Sequence, residues 1–232
     1  MNFINLINPK KSWIMYLLVF MLIVVHSPVE ARDIFCGALT VNQNDDGGGP
    51  WDYTDPMNRV PNAAASEGYL HLVERAHFTP QVEQLIRGKT GVKLLPDISY
   101  TLYRFPNHHR ALWALSRLQR RNGGKLPVAP SAPVHARYAE CYFEKAILFK
   151  SEDSVVHMLY GMHLHSSGDL EKSEQKYKKA LELNPGSSEL HYNMGLLYFD
   201  MRDFDSARRH AGLAYESGYP LQGLRRKLDN LK

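Results

Sequence analysis

Eleven histidines in a chain of 232 residues raise two kinds of chemistry, metal ligation and acid–base transfer, because imidazole serves both near neutral pH. The groupings that stand out are His108-His109, His163-x-His165, and His157 with His191. None has a metal-ligand spacing: there is no His-Glu-x-x-His and no Cys-x-x-Cys, and adjacent His108 and His109 leave a helix in different directions. No metal ligand and no cofactor is therefore assigned. Glu74, His77 and His108 are the remaining polar candidates for acid–base work, and no Ser/His/Asp set lies close in sequence. No catalytic residue is assigned, and the chain is read as a non-enzyme. A metal-binding or hydrolytic protein built on the His77–His109 region is the alternative function.

Two stretches imitate ligand loops and fail on one residue each. Asn42-x-Asn44-x-Asp46-Gly47 opens like a calcium loop, but Tyr53 stands where the closing carboxylate is needed. Gly88-Lys89-Thr90 ends like a phosphate loop, but Glu83 occupies the place of its first glycine.

The two cysteines, Cys36 and Cys141, take their chemistry from the compartment. Lys10 and Lys11 precede an apolar run from Trp13 to Val25, and Val29 and Ala31 supply small residues for cleavage. These are the parts of a secretory signal over residues 1–31, with cleavage expected after Ala31. Thirteen residues at helical rise cover about 20 Å, short of the roughly 30 Å hydrocarbon core, so an uncleaved inner-membrane anchor is the second reading. Phe35 before Cys36 argues against a lipoprotein. Periplasmic or secreted chains meet oxidising conditions, so a Cys36–Cys141 disulfide is expected, with two buried free thiols as the alternative. Such a bridge closes a long loop, nominally worth about 4 to 5 kcal/mol.

The elements that must position these residues are helical. A formal charge of +4 with 22% charged residues, spread and not striped, excludes a dedicated nucleic-acid binder. Residues 32–106 read as an irregular arm with short helices, punctuated by Asp45-Asp46-Gly47-Gly48-Gly49-Pro50, Asp55-Pro56 and Pro61. Within it, one helix is expected from Thr79 as N-cap to Gly88, and a second around Ile98, Leu102 and Phe105. Asn107 is read as the cap of a helix carrying Ala111, Leu115 and Leu118.

Beyond Pro127, Pro130 and Pro133 the chain repeats with a period of 34 residues. Gly161 returns as Gly195, His157 as His191, Asp169 as Asp203, Ser173 as Ala207 and Ala180 as Ala214. In the same register Ala139, Phe143 and Ala146 precede Ser173, Tyr177 and Ala180.

The pattern resembles the tetratricopeptide repeat, which places a Leu-Gly pair on a first helix and Ala, an aromatic, Ala and Pro on a second. Tyr160-Gly161, Ser173, Tyr177, Ala180 and Pro185 carry the resemblance in 154–187, and Met194-Gly195, Tyr198, Ala207, Ala211 and Ala214 in 188–221. It implies an all-α fold, a short solenoid of three helix-turn-helix repeats. The first, degenerate, spans 107–153 with a Pro-rich insertion, and a capping helix follows in 222–232. It further implies a concave, largely apolar groove for a protein or peptide partner, possible roles in envelope assembly included. The lining would be Val155, Met158, Met162 and His165 with Glu189, Tyr192, Leu196 and Phe199; burial of several against the next repeat is the competing reading. The family's carboxylate clamp uses Lys, Arg and Asn, and only Asn193 matches it. A membrane partner is expected only through residues 1–31, nucleic acid is not expected, and the oligomeric state is left open.

Overall fold

The computed structural model describes Cys36, residues 48–89 and residues 91–231. The signal segment, its cleavage site and the stretch from Asn42 to Gly47 lie outside the described residues. Among the described residues all regular structure is helical, and no helix is long and apolar enough to cross a membrane.

The described residues form ten α-helices in order: α1 Tyr69–His77, α2 Pro80–Glu83, α3 Leu95–Arg104, α4 His109–Arg121, α5 Ala139–Phe149, α6 Ser154–Ser166, α7 Leu170–Leu183, α8 Ser188–Asp200, α9 Phe204–Glu216 and α10 Gly223–Asp229. Side-chain caps start the repeat helices. Asp153 accepts N–H bonds from Val155 and Val156, Asp169 from Lys172, Ser187 from Leu190 and Asp203 from Ser206. Each cap satisfies N–H groups that a helix start leaves without an internal partner. Left-handed residues end the first helices: Gly168 at φ 85° and, one repeat later, Arg202 at φ 63°.

Helices α6 and α7 form one hairpin, α8 and α9 the next, and α4 packs on α6 as α6 packs on α8. The first helices thus lie side by side as one layer, and α10 closes the stack against α8 and α9. The small side chains recur for packing reasons. A Cβ on Gly161 would stand 2.6 Å from the Tyr177 ring, closer than real atoms approach. Ala146, Ala180 and Ala214 are fully buried. Phe143 stacks on Tyr160 at 4.9 Å and so joins the degenerate first pair to the second.

The arm holds more order than its turn residues predict. Helix α1 lies inside it, opened by Gly68 at φ 83° without a side-chain cap. The helix expected over 79–88 stops at Glu83, because Leu85 at φ 60° turns the chain back. Trp51 stacks on Tyr69 at 4.2 Å and donates its backbone N–H to the Arg104 carbonyl. Asp52 accepts from Asn107 and pairs with Lys150, while Asn107 also donates to Asp153. Burial pushes the Asp52 carboxyl up, but the hydrogen bonds from Lys150, Asn107 and Thr54 outweigh it and hold it at about 2. Cys36 is bonded to Cys141 on α5, so the arm is tied covalently as well.

Candidate functional site

Counting from the caps of α4, α6 and α8 (His108, Asp153 and Ser187) puts equivalent positions of the first helices in register. Val155, Met158, Met162 and His165 on α6 then correspond to Glu189, Tyr192, Leu196 and Phe199 on α8. Of these eight, Met158 and Tyr192 are buried, Glu189 is exposed, and the other five are half-buried. Tyr192 lies beneath the end of the stack, 4.6 Å from the Tyr219 ring and within the cluster that includes Leu224 of α10. Val155, Met162, Leu196 and Phe199 are the apolar members that keep part of their side chains at the surface, with polar groups beside them. His165 bonds Asp200 at 2.9 Å, Lys227 reaches Asp200 at 3.3 Å, and Lys227 also lies over the Phe199 ring.

On α4 the same register gives Arg110 and Arg117 in place of Val155 and Met162, and these positions are taken. Arg110 pairs with Glu83 and Glu74, Arg117 donates to the Glu83 carbonyl, and Arg121 to the Leu85 carbonyl. The hydrogen bond from Arg110 lowers the Glu83 carboxyl, and Glu83 in turn raises Arg110. Val82 and Leu85 are buried in the main core behind this contact. The segment from Pro80 to Arg87 thus lies across the first-repeat end of the layer, an arrangement without a signal in the repeat register.

Asn193, next to Tyr192 on α8, is 9% exposed, and its side-chain Nδ2 has no hydrogen-bond partner. An unsatisfied buried donor costs about 1 to 3 kcal/mol, and this one lies beneath the surface, out of reach of an added group.

The histidines do structural work. His157 and His191 each donate Nε2–H to the carbonyl six residues back, Ser151 at 2.9 Å and Pro185 at 3.0 Å, which pins the turn before each repeat. His191 Nδ1 then lies 3.0 Å from His210 Nδ1. Since Nε2 of His191 carries the proton, its Nδ1 accepts and His210 donates. Burial, then His191 and Arg209, lower His210 to about 4.

Glu74 and His108 are brought together at 3.0 Å, whereas His77 is engaged elsewhere, 3.1 Å from Asp97. His108 is fully buried and its Nδ1 accepts the Ala111 N–H, so both ring nitrogens are used within the fold. One grouping was invisible in the sequence. Ser116 Oγ lies 2.8 Å from His163 Nδ1, and His163 Nε2 lies 3.2 Å from Glu140. This has the order of a hydrolytic triad, but Ser116 and His163 are each 2% exposed. A nucleophile sealed between α4, α5 and α6 meets no substrate, and Gln119 completes the network by bonding Glu140 and the Ala139 N–H.

Helical hairpins stacked with their first helices in one layer define an all-helical repeat solenoid, a class that offers an extended surface. The family model for the TPR repeat matches residues 161–201, from the α6 glycine through α8, so this stretch is similar to that repeat. No curated protein matches the chain in sequence.

Proposed function

We propose that the protein is an exported, non-enzymatic scaffold that holds a protein or peptide partner on the α6–α8 surface, serving envelope assembly from the periplasmic or secreted side. The observation that carries this reading is the half-buried apolar row Val155, Met162, Leu196 and Phe199. Apolar side chains supply adaptable contact area, with methionine suited to varied shapes, for an apolar or amphipathic segment of the partner. Export rests on the signal pattern of residues 1–31, with the mature chain starting at Arg32.

A photo-crosslinking residue placed at Leu196 tests the surface, with Leu148 on α5 as the control. Crosslinks to the same partner from Leu196 and not from Leu148 support the reading; equal capture from both sinks it. N-terminal sequencing of the protein from its native compartment tests cleavage after Ala31.

A further inference from the structure

Val92, 90% exposed, is the most exposed large apolar side chain among the described residues, and Ile86, 65% exposed, stands in the same loop between α2 and α3. Cations accompany them. Arg87, Lys89 and Lys93 are exposed, and the sequence from Gln84 to Pro96 contains no Asp or Glu. Among the described residues none of the three has an acidic partner, whereas Arg110, Arg117 and Arg121 of the adjoining α4 are all engaged. The loop is held in place: the Lys89 N–H donates to the buried Asp97 carboxylate at 2.7 Å. Gly88 is pressed against the carbonyls of Gly91 and Lys93, where a Cβ has no room. A depression lined by Thr79, Gln81, Arg87, Lys89 and Val92 lies beside the tip.

We infer that this loop docks on an anionic lipid bilayer, with Ile86 and Val92 entering the interface and Arg87, Lys89 and Lys93 facing lipid phosphates. Exposed apolar side chains ringed by unpaired cations match both halves of that surface, its apolar interior and its negative headgroups. A nucleic acid or an acidic peptide complements the charge alone. The contact is independent of the α6–α8 surface, and it adds a membrane surface that the sequence placed only at residues 1–31.

The test uses the full chain with an environment-sensitive dye on Val92→Cys, the native cysteines being bonded to each other; a dye on Leu213→Cys, on α9, is the control. Phosphatidylglycerol vesicles should shift the emission at position 92 to the blue and leave position 213 unchanged, while phosphatidylcholine vesicles leave both unchanged. Arg87→Glu with Lys89→Glu should raise the lipid concentration needed by roughly tenfold or more. Protein that co-sediments with vesicles through its N-terminus while the dye at 92 stays unshifted overturns the inference, as does failure to bind anionic vesicles. An equal shift with soluble polyglutamate or heparin also overturns it, in favour of an acidic macromolecule.

Discussion

Leu224 of the terminal helix covers Gly195 in the last repeat as Tyr177 covers Gly161 in the repeat before it. The residue equivalent to Tyr177 is Ala211, and a Cβ on Gly195 would collide with the Leu224 side chain. The last repeat has surrendered its own aromatic, and α10 restores the lost volume from outside. Gly195→Leu should destabilise by about 1 to 3 kcal/mol through overpacking, and Leu224→Ala by about 2 to 5 kcal/mol through the cavity it leaves. Urea titration reads both; an unaltered midpoint for Gly195→Leu would remove the close approach.

Arg202 occupies the left-handed position that Gly168 fills one repeat earlier. A side chain there costs about 1 to 2 kcal/mol, partly offset in a glycine variant by the added freedom of the unfolded chain. Arg202→Gly should therefore raise the melting temperature by about 1 to 3 °C. A fall would mean that the Arg202 side chain makes a compensating contact.

The bond from Cys36 to Cys141 ties residues 105 apart. Replacing both cysteines by serine should cost about 2 to 4 kcal/mol. Denaturation of the double variant beside the parent measures it, and equal stability would show that the arm is held by its noncovalent contacts alone.

Acid should weaken the last repeat through His210. Its folded value, about 4, lies below the ordinary imidazole value of the unfolded chain, so between about pH 6.5 and 4 the unfolded state binds the extra proton. The contribution is present above that window and is lost as the pH falls through it. His210→Gln should flatten the fall in stability between pH 7 and 4.5; an unchanged slope would assign the effect to other histidines.

Glu83 and Arg110 should couple. In a double-mutant cycle with alanine at both positions the interaction should come to about 1 kcal/mol, since the pair is bidentate but partly open to water. Partner capture through Leu196 should survive all three variants.

The sequence exposed what repeats and hid what occurs once. Gly161, Ala180 and their counterparts 34 residues on are legible because each hairpin must meet the same steric demand. Helix α1 was masked by the turn residues around it and by a glycine start without a side-chain cap. The strap over Arg110 and Arg117 depends on Leu85 adopting a left-handed backbone, which no residue type announces. Ser116, His163 and Glu140 come from three helices and meet only when α4, α5 and α6 stack. Among the groove residues, the burial of Tyr192 follows from Tyr219, past the last helix of its repeat, and from α10, which lies beyond that repeat.

The strap from Pro80 to Arg87 gives the layer of first helices a direction. One end is covered by the chain's own strap, whose Glu83 and Leu85 carbonyls occupy Arg117 and Arg121 and whose Glu83 carboxylate holds Arg110, while the other ends at a short helix with charged side chains. On the proposed reading, an elongated guest would terminate or bend away before α4 and would leave the layer at the α10 end. Its two ends meet chemically different boundaries, so a bound peptide and its reversed sequence are inequivalent occupants.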